Sequence, residues 1–158
     1  MKKELFKGSA MLMVMVMLAL ATVVASAKTQ PDSQVVADIP FEFSVGYKTM
    51  PAGEYSVKTV TSASNALMIQ SADRKLVALR LTNETERSKN KTQARLVFHR
   101  YGERYFLAEV WNGIDKTGRE LLKSQEESAI QREFASIAAK SETSNNTYET
   151  VEVVAALR

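Results

Sequence analysis

The chain reads as mainly β, an antiparallel β-sandwich or partly closed barrel carrying one C-terminal amphipathic helix. Three observations predict this. Apolar and polar residues alternate through several short stretches, as strands with one buried side require. Glycine- or proline-bearing turns separate those stretches. One window only, about residues 124–140, changes to the spacing of a helix.

Residues 1–27 are read as a cleavable secretory signal and set aside before the fold. Lys2, Lys3 and Lys7 form a basic start, "AMLMVMVMLALATVVA" is an apolar run, and Ala25-Ser26-Ala27 is a small-residue cleavage site. The run falls short of the roughly 18–20 apolar residues of a membrane-spanning helix and ends at Lys28 and Pro31. No stable membrane insertion is expected after cleavage. Subtracting Lys2, Lys3, Lys7 and Glu4 from 21 basic and 18 acidic residues leaves a balance of +1. The high pI therefore comes largely from the signal, and nucleic acid is not an expected partner, because it needs a clustered basic footprint. The one dense basic run, "RSKNK" at 87–91, is read as a solvated loop.

The chain contains no cysteine. An exported protein of this kind has no disulfide staples and must fold by burial alone. The residues left after removal of 27 from 158 suffice for one domain, 28–158, with a core of its own.

The elements follow in order. In "FEFSV", Phe41, Phe43 and Val45 fall on one side of an extended chain, and Tyr55, Val57 and Thr59 repeat the pattern. Gly46 and Pro51-Ala52-Gly53 supply turn geometry between them, giving a strand, a connection of about eight residues, and a strand. "ALMIQSA" (66–72) and "KLVALRLTN" (75–83), with Val77, Leu79 and Leu81 on one face, read as a hairpin.

The strongest β signal is "ARLVFHRYGERYFLAEVW", whose two halves meet at Gly102-Glu103. An unbroken register from that turn places Leu96, Phe98, Arg100, Tyr105, Leu107, Glu109 and Trp111 on one face. The other face carries Val97, His99, Tyr101, Phe106, Ala108 and Val110. Both are substantially apolar, so the pair is expected at the centre of the fold with a cover on each side.

The helix supplies one cover. Ser124 followed by Glu127 is a capping-box spacing, and Ile130, Phe134, Ile137 and Ala138 form a stripe expected to pack on the sheet. A polar linker (141–146) leads to a last strand at about 147–157. In all, roughly seven strands are expected.

Pro40-Phe41-x-Phe43-x-Val45-Gly46-x-Lys48 and Pro51-Ala52-Gly53-x-Tyr55-x-Val57 resemble the N-terminal signature of an uncharacterised family of small secreted bacterial β-domain proteins. "RYFLAEVW" (104–111) and "GRELLKSQEE" (118–127) are similar to that family's later segments. The likeness covers about residues 36–130, with Leu122 standing where the family pattern has proline. It implies an exported β-domain followed by a short helix, and brings no catalytic or binding residues with it.

Few residues invite chemistry. The chain has no cysteine nucleophile, no Gly-x-Ser-x-Gly elbow and no phosphate-cradling glycine loop. His99, the sole histidine, lies on an apolar face and reads as packed; no metal site and no cofactor are expected. Glu42 and Glu109 are the one carboxylate pair that could serve a hydrolase, if the fold brings them together. Arg100, Tyr105, Glu109 and Trp111 share a face in the unbroken register, and together offer stacking and directional hydrogen bonds. They are the candidate binding residues, with a glycan, a peptide or an envelope protein as the expected kind of partner. The protein is thus read as an exported non-enzymatic binding or structural module, periplasmic or secreted. The alternatives are an envelope hydrolase using Glu42 and Glu109, and a small barrel carrying an apolar ligand.

Overall fold

In a computed structural model of the chain, residues 33–60, 65–86, 92–141 and 148–158 are described, and they fall within one compact unit, Asp32–Arg158. The signal at 1–27, the basic run at 87–91 and most of the polar linker lie outside the described residues.

The segment that opens with "FEFSV" shows how local chemistry sets the layout. Phe43 and Val45 turn inward on β2 (Phe43–Val45), and the chain reverses at once through Gly46 into β3 (Lys48–Met50). Gly46 has φ 67°, and the Arg80 guanidinium crosses so close that an added Cβ would lie 2.7 Å from it. A side chain here would meet backbone strain and would displace the Arg80 guanidinium. The connection expected to be about eight residues of loop therefore holds a strand. After Pro51 the chain enters β4 (Gly53–Thr59), where Tyr55 and Val57 are buried. The Tyr55 ring stands edge-on to Phe43 at 5.1 Å, and its hydroxyl donates to the Pro51 carbonyl at 2.7 Å. Tyr55 thus buries a ring while closing the turn that precedes it.

Two sheets are built from these strands and from β1 (Val35–Ile39), β5 (Ala66–Ser71), β6 (Val77–Glu86), β7 (Arg95–Tyr101), β8 (Arg104–Trp111), β9 (Thr117–Leu121), β10 (Glu149–Val154) and β11 (Ala156–Leu157). The hydrogen-bonded path runs β10-β7-β8-β9-β6-β5-β4-β1-β11. Every pair is antiparallel except β2 against β8, which run parallel at Ser44 and Phe106. β6 belongs to both sheets. Val77–Leu81 pair with β5 and Thr82–Glu86 with β9. Thr82 pins the corner, since its N–H and its hydroxyl both donate to the Asn65 carbonyl, at 2.7 and 2.9 Å.

The last strand does the same on the opposite flank. β10 pairs with β7, Ala155 donates its N–H to the Ala94 carbonyl, and β11 pairs with β1. β10 and β11 hold different partners and do not pair with each other, so the path stays open. The result is a sandwich with two shared corners, not a closed barrel. The single strand expected at 147–157 is accordingly two, broken at Ala155.

Tyr55, Phe43, Phe98, Ile39, Met50 and Ile69 fill the space between the sheets. The helix α1 (Gln125–Ser141) covers the outer side of β7 and β8, where Ile130 joins Tyr101 and Phe106. The β7–β8 pair is thus covered on both sides, as its two apolar faces predict. Ser124 caps the helix, its Oγ accepting the Glu127 N–H at 3.0 Å. Among the described residues no helix is long and apolar enough to cross a membrane.

Three expectations need correction. Eleven strands stand among the described residues where roughly seven were expected, because β1, β3 and β9 are short or poor in alternating apolar residues and the last strand is broken in two. In β6 the apolar face points outward: Leu79 and Leu81 are 61% and 63% exposed, while Ala78 and Thr82 face in beside the buried Ile69 and Leu67. Ile137, expected in the helix stripe, is exposed; contact with the sheet is made by Ile130 and Phe134.

Candidate functional site

The four candidate binding residues do not share a face. From the turn, Tyr101 pairs with Arg104, Arg100 with Tyr105 and Phe98 with Leu107, as an unbroken register requires. The next pair is Val97 with Glu109, so Ala108 is an extra residue, and Leu96 then faces Val110. A one-residue bulge sends every later side chain to the opposite side. Val110 enters the core, while Glu109 and Trp111 go out to the face on which Val97 and His99 stand.

Arg100 and Tyr105 remain together near the turn. Phe41 stacks on Tyr105 with ring centroids 3.9 Å apart, and the Arg100 guanidinium sits 5.5 Å from that ring. Arg100 donates to the Gly102 carbonyl at 2.8 Å and pairs with Glu103 and Glu149, each at 3.3 Å. These contacts close the hairpin end. At the far end Trp111 is only 4% exposed, which removes it as an open stacking platform. Its indole N–H donates to Glu109 at 2.7 Å, and Arg95 lies 4.9 Å from the ring. The ring rests on Gly118 so closely that a Cβ there would come within 2.6 Å.

The carboxylate pair is also separated. Ser44 stands beside Phe106, so Glu42 extrapolates to the level of Arg104, five residues from Glu109 along β8. At about 3.3 Å per residue this is roughly 16 Å, beyond the ~5–9.5 Å over which two carboxylates share a glycosidic bond.

His99 is packed, as its apolar setting predicts, but it has a partner the sequence does not announce. Its Nδ1 lies 2.8 Å from Glu127 Oε1, both side chains are buried, and the Tyr148 ring stands 4.1 Å away. Glu127 therefore ties the helix to the sheet. Tyr101 completes the group: its hydroxyl is buried without a hydrogen bond, and burial, with the nearby Glu127 charge second, holds its pKa well above the ordinary phenol value. Among the described residues no cluster of three or more His, Cys, Asp or Glu could hold a metal.

The concave feature of most chemical interest is a pocket of about 250 Å³ at one end of the sandwich. Its floor is the aliphatic surface of Val35, Val57, Leu67 and Val110, all part of the inter-sheet core. The rest of the lining is mostly polar and includes Lys58, Thr59, Asn112, Asp115, Thr117 and Arg119, with Ser33 at its edge. Arg119 arrives there because it is the cross-strand partner of Val110 and so projects to the same inner side. It reaches across to the other sheet, donating to Asn65 Oδ1 at 3.1 Å. Asn112 organises the β8–β9 turn: its Oδ1 accepts the N–H groups of Ile114 and Asp115, each at 3.0 Å, and its amide donates to Asp115 Oδ2 at 2.6 Å. Sequence reasoning missed this pocket. "GRELL" carries too little alternation to reveal a strand, and Arg119 faces inward because it stands between Val110 of β8 and Glu84 of β6, on the side where Thr82 and Leu121 are buried.

Comparison of the chain with protein-family models, with curated proteins and with solved structures finds no match in any of the three.

Proposed function

We propose that the protein is an exported, non-enzymatic binding module of a bacterial envelope or exterior, and that it takes a small ligand at the end pocket. One observation carries the reading: an aliphatic floor under a rim of hydroxyl, amide, carboxylate and guanidinium groups, the composition of sites that bind small molecules. Export is supported by the basic start, apolar run and Ala-Ser-Ala end of residues 1–27. The rim disfavours a purely apolar cargo, which would leave those polar groups desolvated and unpaired. The separation of Glu42 from Glu109 disfavours the hydrolase.

Two measurements test the proposal. Intact mass of the protein recovered from the producing cell is expected to correspond to a chain beginning at Lys28; a form beginning at Met1 removes export. Amide spectra of the labelled protein, with pools of small envelope-derived solutes added, are expected to shift at Val57, Leu67, Val110 and Gly118. Shifts elsewhere, or none, remove the pocket as the site.

A further inference from the structure

We infer that the end pocket is built for an aliphatic zwitterion of amino-acid size, an inference that rests on the binding reading above. The first argument is the state of its two charged groups. Arg119 spends Nη1 on Asn65 and lies 3.6 Å from Glu84, but its Nε and Nη2 make no hydrogen bond among the described residues. That leaves open the edge of the guanidinium that holds a carboxylate by two parallel bonds. Asp115 spends Oδ2 on Asn112, and its Oδ1 makes no hydrogen bond among the described residues. Asp115 and Arg119 therefore line the same pocket, each with a hydrogen-bonding edge that no described residue occupies.

Opposite charges on one rim are the second argument. Arg119 and Asp115 line the pocket together, so a molecule carrying both charges can satisfy both at once, which a simple anion or cation cannot. The third argument is size and floor. At about 250 Å³ the pocket has room for a molecule as small as valine. Val35, Val57, Leu67 and Val110 offer the side chain an aliphatic bed. Ser33, Thr59 and Thr117 can donate or accept, and so complete the hydrogen bonds of either head group.

The test titrates the protein, as recovered from the producing cell, with L-valine, isovalerate and isobutylamine, followed by amide shifts at Val57, Leu67, Val110 and Gly118. Valine is expected to saturate the shifts, and the two singly charged analogues to bind about tenfold more weakly or less, since each forgoes one charge-assisted contact. Arg119→Gln is expected to abolish the preference over isobutylamine, and Asp115→Asn the preference over isovalerate. Asp115 is exposed in a turn, so the second variant reports even if the first fails to fold. Isovalerate or isobutylamine binding as well as valine overturns the zwitterion. A neutral monosaccharide that shifts the same amides where valine does not also overturns it, while leaving the pocket a binding site. Silence of those amides to valine and to every solute pool overturns this inference and the binding reading together.

Discussion

The β7–β8 pair is packed on both sides, and the two packings differ in kind. On its inner side Phe43, Tyr55 and Phe98 meet edge to face at 5.1–5.5 Å among fully buried aliphatic residues, and the buried Tyr55 hydroxyl donates to Pro51. On its outer side a single helix covers Tyr101 and Phe106 with Ile130 and Phe134, and the same small layer encloses the His99–Glu127 pair and an unpaired tyrosine hydroxyl. An apolar core contributes stability roughly in proportion to area removed from water. A mixed layer gains less, because each buried polar group gives up water for at most one good partner. The inner layer is therefore expected to hold the fold, and the outer layer to be a separable, weaker unit.

The largest test of that contrast compares two phenylalanines. Phe43→Ala is expected to cost about 3–5 kcal/mol, the range for emptying a well-packed aromatic site. Phe134 is only half-buried, so Phe134→Ala is expected to cost about 1–2 kcal/mol, less than half as much. Urea unfolding measures both. Equal losses would mean that the helix layer shares the stability of the core. Amide exchange sharpens the result, since helix amides should open at a lower free energy than those of β4 and β5.

A smaller effect, of opposite sign in the two layers, comes from one chemical change. Tyr55→Phe removes a hydroxyl that satisfies the Pro51 carbonyl and is expected to destabilise by about 1 kcal/mol. Tyr101→Phe removes a buried hydroxyl that has no partner, and is expected to be neutral or stabilising by up to about 1 kcal/mol. Both tyrosines have pKa values raised by burial. In the unfolded chain each ionises near pH 10, while in the folded chain burial defers ionisation to higher pH. Stability is thus untouched below about pH 9 and falls above pH 10, by up to ~1.4 kcal/mol per pH unit for each. Either Phe variant should lessen that slope by one tyrosine's share, as measured by denaturation at pH 9 and pH 11. An unchanged slope in both variants would place the alkaline loss elsewhere.

Legibility in the sequence divides along the same lines. The inner core was readable wherever a strand is long and one-sided, as in Phe43, Val45, Tyr55, Val57 and the hairpin as far as Phe98. So was the cap at Ser124, because it depends on residues three apart. What escaped reading depends on contacts distant in sequence. The bulge at Ala108 has no local marker, since alanine fits either phase, yet it moved Glu109 and Trp111 away from Arg100 and Tyr105. β6 misled for a related reason: Leu79 and Leu81 give it an apolar face, but the bond from Thr82 to Asn65 turns that face outward. Glu127 read as a helix cap because its spacing from Ser124 is local, whereas its partner His99 is 28 residues away.

The smallest effects lie along the helix and locate the border of the outer layer. Ser124→Ala leaves the Glu127 N–H without its side-chain acceptor at a buried helix start, and is expected to cost about 1 kcal/mol. Ile137, two turns beyond Ile130, is 56% exposed, and Ile137→Ala trades a β-branched residue for the best helix former. The small loss of burial and the gain in propensity should nearly cancel, leaving a change within about 0.5 kcal/mol. Thermal unfolding of the two variants side by side decides where packing ends. A loss at Ile137 as large as that at Ser124 would mean that the last turns of the helix are covered in solution, and that the outer layer extends past Phe134.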